Sequence, residues 1–201
     1  GSPNAVAVVG IAAKAGVPLL APVGTAAVVL PMDAQKKWVF KTTQNDNVIA
    51  EALIADMVKR GIKTVGFVGT SDPYGENWHK VFSGLAASKG IQVVAKESFQ
   101  RQDTSLTGQA LKIISKKPQA VLIAAPGGAA VTPQVALFDR GYKGQIYQTH
   151  GAALDEFLKR GGKKVENTIL AASLMLVLNE IPATHPSKAL ATKYMNDYKK
   201  L

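Results

Sequence analysis

The chain contains no cysteine among its 201 residues. That excludes a disulfide framework, thiolate metal centres and a cysteine nucleophile together. It leaves the compartment open, because an oxidising space permits disulfides without requiring them. Long apolar runs are missing too, so no segment supplies the roughly 18 consecutive apolar residues that a membrane-crossing helix needs. Aromatic residues make up only 6%, and 14 acidic residues face 24 Lys and Arg, a formal charge of +10. The basic excess is spread out in doublets: Lys116-Lys117, Lys159-Arg160, Lys163-Lys164 and Lys199-Lys200. A nucleic-acid binder concentrates its charge and interleaves it with aromatics. The aromatics mostly sit apart from these doublets, which reads as a solvated surface with no nucleic-acid partner.

Enzyme signatures are also missing. There is no G-x-x-x-x-G-K-[ST] phosphate loop, no G-x-G-x-x-G after a strand, no H-E-x-x-H and no G-x-S-x-G elbow. His79, His150 and His185 are scattered, without partners at metal-ligand spacing. Asp33, Asp72, Asp103 and Asp155 sit near turns, where helix or turn capping accounts for them without catalysis. Neither a cofactor nor a metal is expected, and the pattern points to a binding protein instead of an enzyme.

What the sequence does have is 47% apolar residues, 19% charged residues and a regular alternation of two patterns. Short β-branched runs at 17–20, 38–41, 64–68, 91–95, 120–124, 145–148 and 168–171 predict strands, several of them apolar throughout, as in parallel strands covered on both faces. Helical patterns lie between them at 45–60, 76–88, 105–115, 130–140, 152–160 and 186–200, most of them stopped by Gly or Pro. From Thr64 onward the strands recur at the spacing of a βα unit. The expected fold is an α/β doubly wound parallel sheet.

Ligands of such sheets bind beyond the carboxyl ends of the strands. That rule nominates the loops at 21–25, 70–75, 125–129 and 149–151. In the first, backbone N–H groups of Val23 and Gly24 and the Thr25 hydroxyl suit a carboxylate; an ordinary strand-to-helix turn would use the same residues. In the second, Asp72-Pro73 opens a turn that pushes Tyr74 out at its tip, where the ring either stacks on a ligand or covers the end of the sheet. The turn holding Gly127 and Gly128 carries no bulky side chain. His150 is either structural or a proton donor to an anion.

These residues have a family likeness. Gly16-Val-Pro-Leu-Leu-Ala-Pro-Val-Gly-Thr25, Trp38-Val-Phe-Lys-Thr-Thr43, Thr64-Val-Gly-Phe-Val-Gly followed by Asp72-Pro-Tyr-Gly75, then Phe157-Leu-Lys-Arg-Gly-Gly, Val165-Glu-Asn-Thr168 and the helix with Pro186, Tyr194 and Tyr198 together resemble the periplasmic solute-binding proteins of ABC transporters. The closer likeness is to the branched-chain amino-acid (leucine/isoleucine/valine-type) receptors. The resemblance covers essentially the whole chain.

It implies two doubly wound lobes that close on a ligand, in a periplasmic protein that docks on an ABC permease of the inner membrane. Val23, Gly24 and Thr25 would hold a ligand carboxylate from the first lobe, facing Tyr74, Gly127, Gly128 and His150 of the second. Ser2 matches a further first-lobe hydroxyl, although Gly1-Ser2 is equally the sequence of a tag-cleavage remnant. Residues 43–172 would form a nearly complete second lobe, with 1–42 and 173–201 as parts of an incomplete first lobe. Relatives begin earlier and run further, so the chain reads as an internal fragment.

Two departures shape the expected ligand. Amino-acid receptors of this family place a carboxylate near the position of His150 to pair with the ligand's ammonium, and a protonated histidine would repel that cation. The glycine turn lacks the aromatic that crowds their pocket. Both point to a small carboxylate without an α-amine, an aromatic acid or a branched oxo-acid. The alternatives are a branched-chain or other amino-acid receptor of the same family, or a ligand-sensing regulatory domain.

Overall fold

The strand β3 (Thr64–Thr70) has every residue after the first buried, and β5 (Ala120–Ala124) is buried throughout. Alternate side chains leave opposite faces of such a strand. Accordingly Val65, Phe67 and Leu122 join one apolar cluster, while Val68, Val121 and Ile123 join another on the opposite face. In the computed structural model, which describes residues 1–200, these strands are the centre of a five-stranded parallel sheet ordered β4-β3-β5-β6-β7. The outer members are β4 (Gln92–Phe99), β6 (Gln145–Gln148) and β7 (Ile169–Leu170).

Helices α2 (Asp46–Lys59) and α3 (Pro73–Ser88) cover the first face. They contribute Ile49, Leu53, Met57, Trp78 and Phe82 to its cluster. Side chains such as Leu53, Met57 and Phe82 each contribute about 1.5–3 kcal/mol by leaving water. The second face is covered by α4 (Thr107–Ser115), α5 (Val131–Asp139) and α6 (Asp155–Gly161). From β3 the chain winds outward to β4, then crosses back to β5 on the other side. Loops after β3 and β5 therefore diverge, which opens the crevice where such folds bind ligands.

A second, two-stranded parallel sheet pairs β1 (Leu19–Ala21) with β2 (Val39–Lys41), Leu20 opposite Phe40. The helix α1 (Ser2–Ala15) packs Ala5 and Val9 against Ala21, Val23, Val28 and Val39. Both sheets belong to one compact unit, Gly1–Ala171. A second unit begins at Ala172 and contains α7 (Lys188–Tyr198), on which the Tyr194 and Tyr198 rings stack with centroids 6.5 Å apart.

Among the differences from the sequence expectation, three matter most here. Residues 2–15 form a helix the sequence reading passed over, because Val, Ile and Gly10 weaken its helical signature. The edge strand β4 runs to Phe99 instead of ending at 95. And α3 starts at Pro73, not Glu76, because Asp72 caps it: its carboxylate accepts the N–H groups of Tyr74 (2.8 Å) and Gly75 (3.3 Å). Asp33 likewise closes a turn, accepting from the N–H groups of Gln35 and Lys36 at 2.9 Å each.

Candidate functional site

That early helix start decides where Tyr74 goes. Its ring lies in the first turn of α3, 3% exposed, not projecting from a loop tip as the turn chemistry suggested. The hydroxyl shares a 2.8 Å hydrogen bond with the Thr149 hydroxyl, at the end of β6. Burial pushes the phenol well above its ordinary pKa. The capping carboxylate of Asp72 is itself fixed by Arg101 Nε at 2.6 Å and by the Thr70 hydroxyl at 3.0 Å.

The loop after β1 meets this ring. A Cβ on Gly24 would sit 2.5 Å from Tyr74 Cε2 and 3.1 Å from His150 Nε2, so only glycine permits the approach. Thr25 is fully buried; its hydroxyl accepts the Ala27 N–H (3.2 Å) and donates to the Pro73 carbonyl (3.4 Å). Val23 is buried, and its carbonyl accepts the Thr43 hydroxyl at 2.6 Å. Val23, Gly24, Thr25, Tyr74 and His150 are thus brought together from both sheets.

His150 packs its ring against Tyr74 and Trp78, centroids 6.3 and 5.8 Å away. Burial, with a smaller effect of the Lys41 ammonium, lowers its pKa to about 4. The imidazole is therefore neutral at pH 7, and the expected repulsion between a protonated ring and a ligand ammonium does not arise. Nδ1 is buried without a hydrogen-bond partner.

The glycine turn stands differently. Gly127 has φ 57°, a conformation suited to glycine, and the position of a Cβ on Gly128 lies 2.2 Å from Arg160 Nη1 and 2.4 Å from Glu156 Oε1. These two side chains pair at 3.1 Å. The half-exposed ends of these two α6 side chains cover Gly128, so room for a ligand at this turn requires the pair to move. Gln148 fixes this loop from below, donating to the Ala130 carbonyl at 3.1 Å and to Gln134 Oε1 at 2.9 Å. Ser2 is buried in the first turn of α1, and its neighbour Gly1 lies against Arg101.

Two charged residues of the site escaped sequence reasoning. Asp46, fully buried in the first turn of α2, accepts a hydrogen bond from the Asn77 amide and leaves Oδ1 without a partner. Burial raises its carboxyl to about 7, against the opposing effects of Asn77, Lys41 and the Ala26 N–H. Lys41, half-buried at the end of β2, donates to the Thr43 carbonyl (2.8 Å), the Thr43 hydroxyl (2.9 Å) and the Gln44 carbonyl. Burial lowers its pKa, with Asp46 acting in the other direction. An Asn-Asp pair opening a helix reads as a cap, yet Asn45 makes no side-chain cap bond and Asp46 turns inward. Among the described residues no group of three His, Asp or Glu is placed to hold a metal ion, and no helix is long and apolar enough to cross a membrane.

Strand-end loops from two parallel sheets meet here, and the family model for periplasmic binding proteins matches residues 1–201. The chain belongs to the periplasmic binding protein family. Among solved structures, this periplasmic binding protein is similar to an extracellular ligand-binding receptor from Rhodopseudomonas palustris HaA2: 43% identity, TM-score 0.91, 98% of this chain against 55% of that one. It is also similar to Rp1789 of Rhodopseudomonas palustris CGA009, at 36% identity and TM-score 0.88 over 98% and 54% of the two chains. A solute-binding protein of an ABC transporter from Rhodopseudomonas palustris BisB5, solved in complex with 3,4-dihydroxybenzoic acid, shares the fold at 18% identity and TM-score 0.75, over 98% and 52%. The chain spans about half the length of these relatives. No curated protein matches it.

Proposed function

We propose that the chain forms part of the cleft of a periplasmic receptor that captures a small carboxylate and delivers it to an ABC permease. The observation that carries this reading is the contact of the Val23–Thr25 loop with Tyr74 and His150 from the other sheet. Residues 1–42 and 173–201 are assigned to the first lobe and 43–172 to the second. Ligand bridging the lobes stabilises the closed state by its differential affinity for it. The partly exposed His150 ring, backed by Tyr74 and Trp78, offers an apolar face to an aromatic acid or a branched oxo-acid, and the half-buried Lys41 favours an anion. None of these groups forms a nucleophile–base pair, which suits capture without chemical change.

A second reading, an amino-acid receptor, is favoured by one observation. Asp46 presents a buried, unpartnered carboxylate oxygen that a ligand ammonium could take.

Calorimetry on the intact protein separates the two, with 3,4-dihydroxybenzoate, 4-methyl-2-oxopentanoate and L-leucine as ligands. Either acid should bind and also raise the melting temperature, since ligand at a hundredfold over its Kd adds about 2.7 kcal/mol. Binding of leucine with neither acid overturns the carboxylate reading in favour of the second.

A further inference from the structure

We propose that Lys41 is a positioning residue of the cleft: it fixes the segment joining the two sheets to the ligand loop, and its charge makes the site prefer an anion over the matching neutral molecule. The inference rests on the reading of Val23–Thr25, Tyr74 and His150 as the ligand site.

Residues 42–45 are the connection from β2, in the small sheet, to α2, on the large one. The Lys41 side chain folds back along this connection. An ammonium has three N–H groups, and here each has an acceptor: the Thr43 carbonyl, the Thr43 hydroxyl and the Gln44 carbonyl. The Thr43 hydroxyl, accepting from Lys41, spends its own proton on the Val23 carbonyl at 2.6 Å. A relay therefore runs from Lys41 through Thr43 to the loop that carries Gly24 and Thr25. Moving the connection moves that loop.

All three acceptors are neutral, and no carboxylate lies within ion-pair distance of Lys41 among the described residues. The groups that feel its charge are Asp46 at the start of α2 and His150 after β6. His150 is neutral at pH 7, and Asp46 is only partly ionised. A cation with hydrogen bonds but no firm counter-charge leaves a positive potential at the site, and a ligand anion compensates it at a distance. Lys41 acts through this field and through Thr43, with no N–H left for the ligand.

The test measures 3,4-dihydroxybenzoate and 3,4-dihydroxybenzamide, an acid and its neutral amide, by calorimetry on the intact protein. Wild type should prefer the acid. Lys41→Met should lower the acid-to-amide affinity ratio about tenfold, the scale of one lost charge near a partly buried site. Lys41→Gln, which still donates to carbonyls, should lower it similarly even where the methionine variant fails to fold; Lys41→Arg should keep it. Thr43→Val breaks the relay and leaves the charge, so both ligands should weaken together with the ratio unchanged. An unchanged ratio in Lys41→Gln overturns the role of the charge, and unchanged affinities in Thr43→Val overturn the relay. Wild type binding neither compound, with 4-methyl-2-oxopentanoate failing as well, removes the carboxylate reading itself, a result distinct from either.

Discussion

A Cβ placed on Gly24 would lie 2.5 Å from Cε2 of Tyr74, a distance at which one of the two must move. Contact between the small sheet and the large one at this point therefore depends on the absence of a single methyl group. Gly24→Ala should cost about 1–3 kcal/mol, the usual range for overpacking a buried site. Thermal denaturation and ligand calorimetry on the same sample check it, and a variant with wild-type stability and affinity would show that the loop adapts freely.

Tyr74 and Thr149 share a hydrogen bond with both side chains buried. Tyr74→Phe should destabilise by about 1–3 kcal/mol, because Thr149 is left with an unsatisfied hydroxyl. Adding Thr149→Val removes that orphan, so the double variant should be less destabilised than the sum of the singles. A chemical-denaturation double-mutant cycle reads this coupling, and strict additivity would deny it.

Asp46 and His150 give opposing pH dependences. The carboxyl of Asp46 stands at about 7 in the folded protein against 3.8 unperturbed. The folded state holds that proton more tightly, so this contribution is full below about pH 4 and is lost as pH rises to 7. His150 stands at about 4 against 6.5. Here the unfolded state binds the proton more readily, so stability falls as pH drops from 6.5 to 4. Wild type should show a shallow profile over that window. Asp46→Asn should expose the His150 slope, stability rising with pH, and His150→Phe should expose the opposite one. Melting temperatures between pH 4 and 8 test both, and identical slopes in the two variants would refute the assignment.

The Glu156–Arg160 pair covers Gly128 while remaining half exposed. Exposed pairs of this kind contribute only about 0–1 kcal/mol. Gly128→Ala should therefore displace the pair at small cost, and in a Glu156→Ala background its cost should shrink further. A loss above about 3 kcal/mol, the tail reserved for core disruption, would mean that the turn itself cannot move.

The large sheet was legible because β3 and β5 are apolar without interruption, a pattern only a two-sided covering explains. The meeting of its strand-end loops was legible because the fold places them on one side of the sheet. The helix at Ser2–Ala15 was not, since its Val-rich sequence suits either structure and only packing against Val28 and Val39 settles it. Nor was the inward turn of Asp46, which differs from a capping aspartate by backbone direction alone. The depth of Tyr74 follows from the Asp72 cap, a local bond whose consequence is tertiary. Alternation of residues reports which face is covered, and says little about which polar groups are covered with it.

The Thr25 hydroxyl already holds the Ala27 N–H and the Pro73 carbonyl. A ligand oxygen arriving at this hydroxyl enters by exchange, displacing a protein partner instead of filling an idle valence. Its net gain is the difference between two hydrogen-bond sets, about 1 kcal/mol for a typical neutral bond and more when one member is ionised. On the proposed carboxylate reading, a charged oxygen wins that exchange more readily than a neutral one, so the contact that seals the loop against α3 would also act as a filter on what opens it.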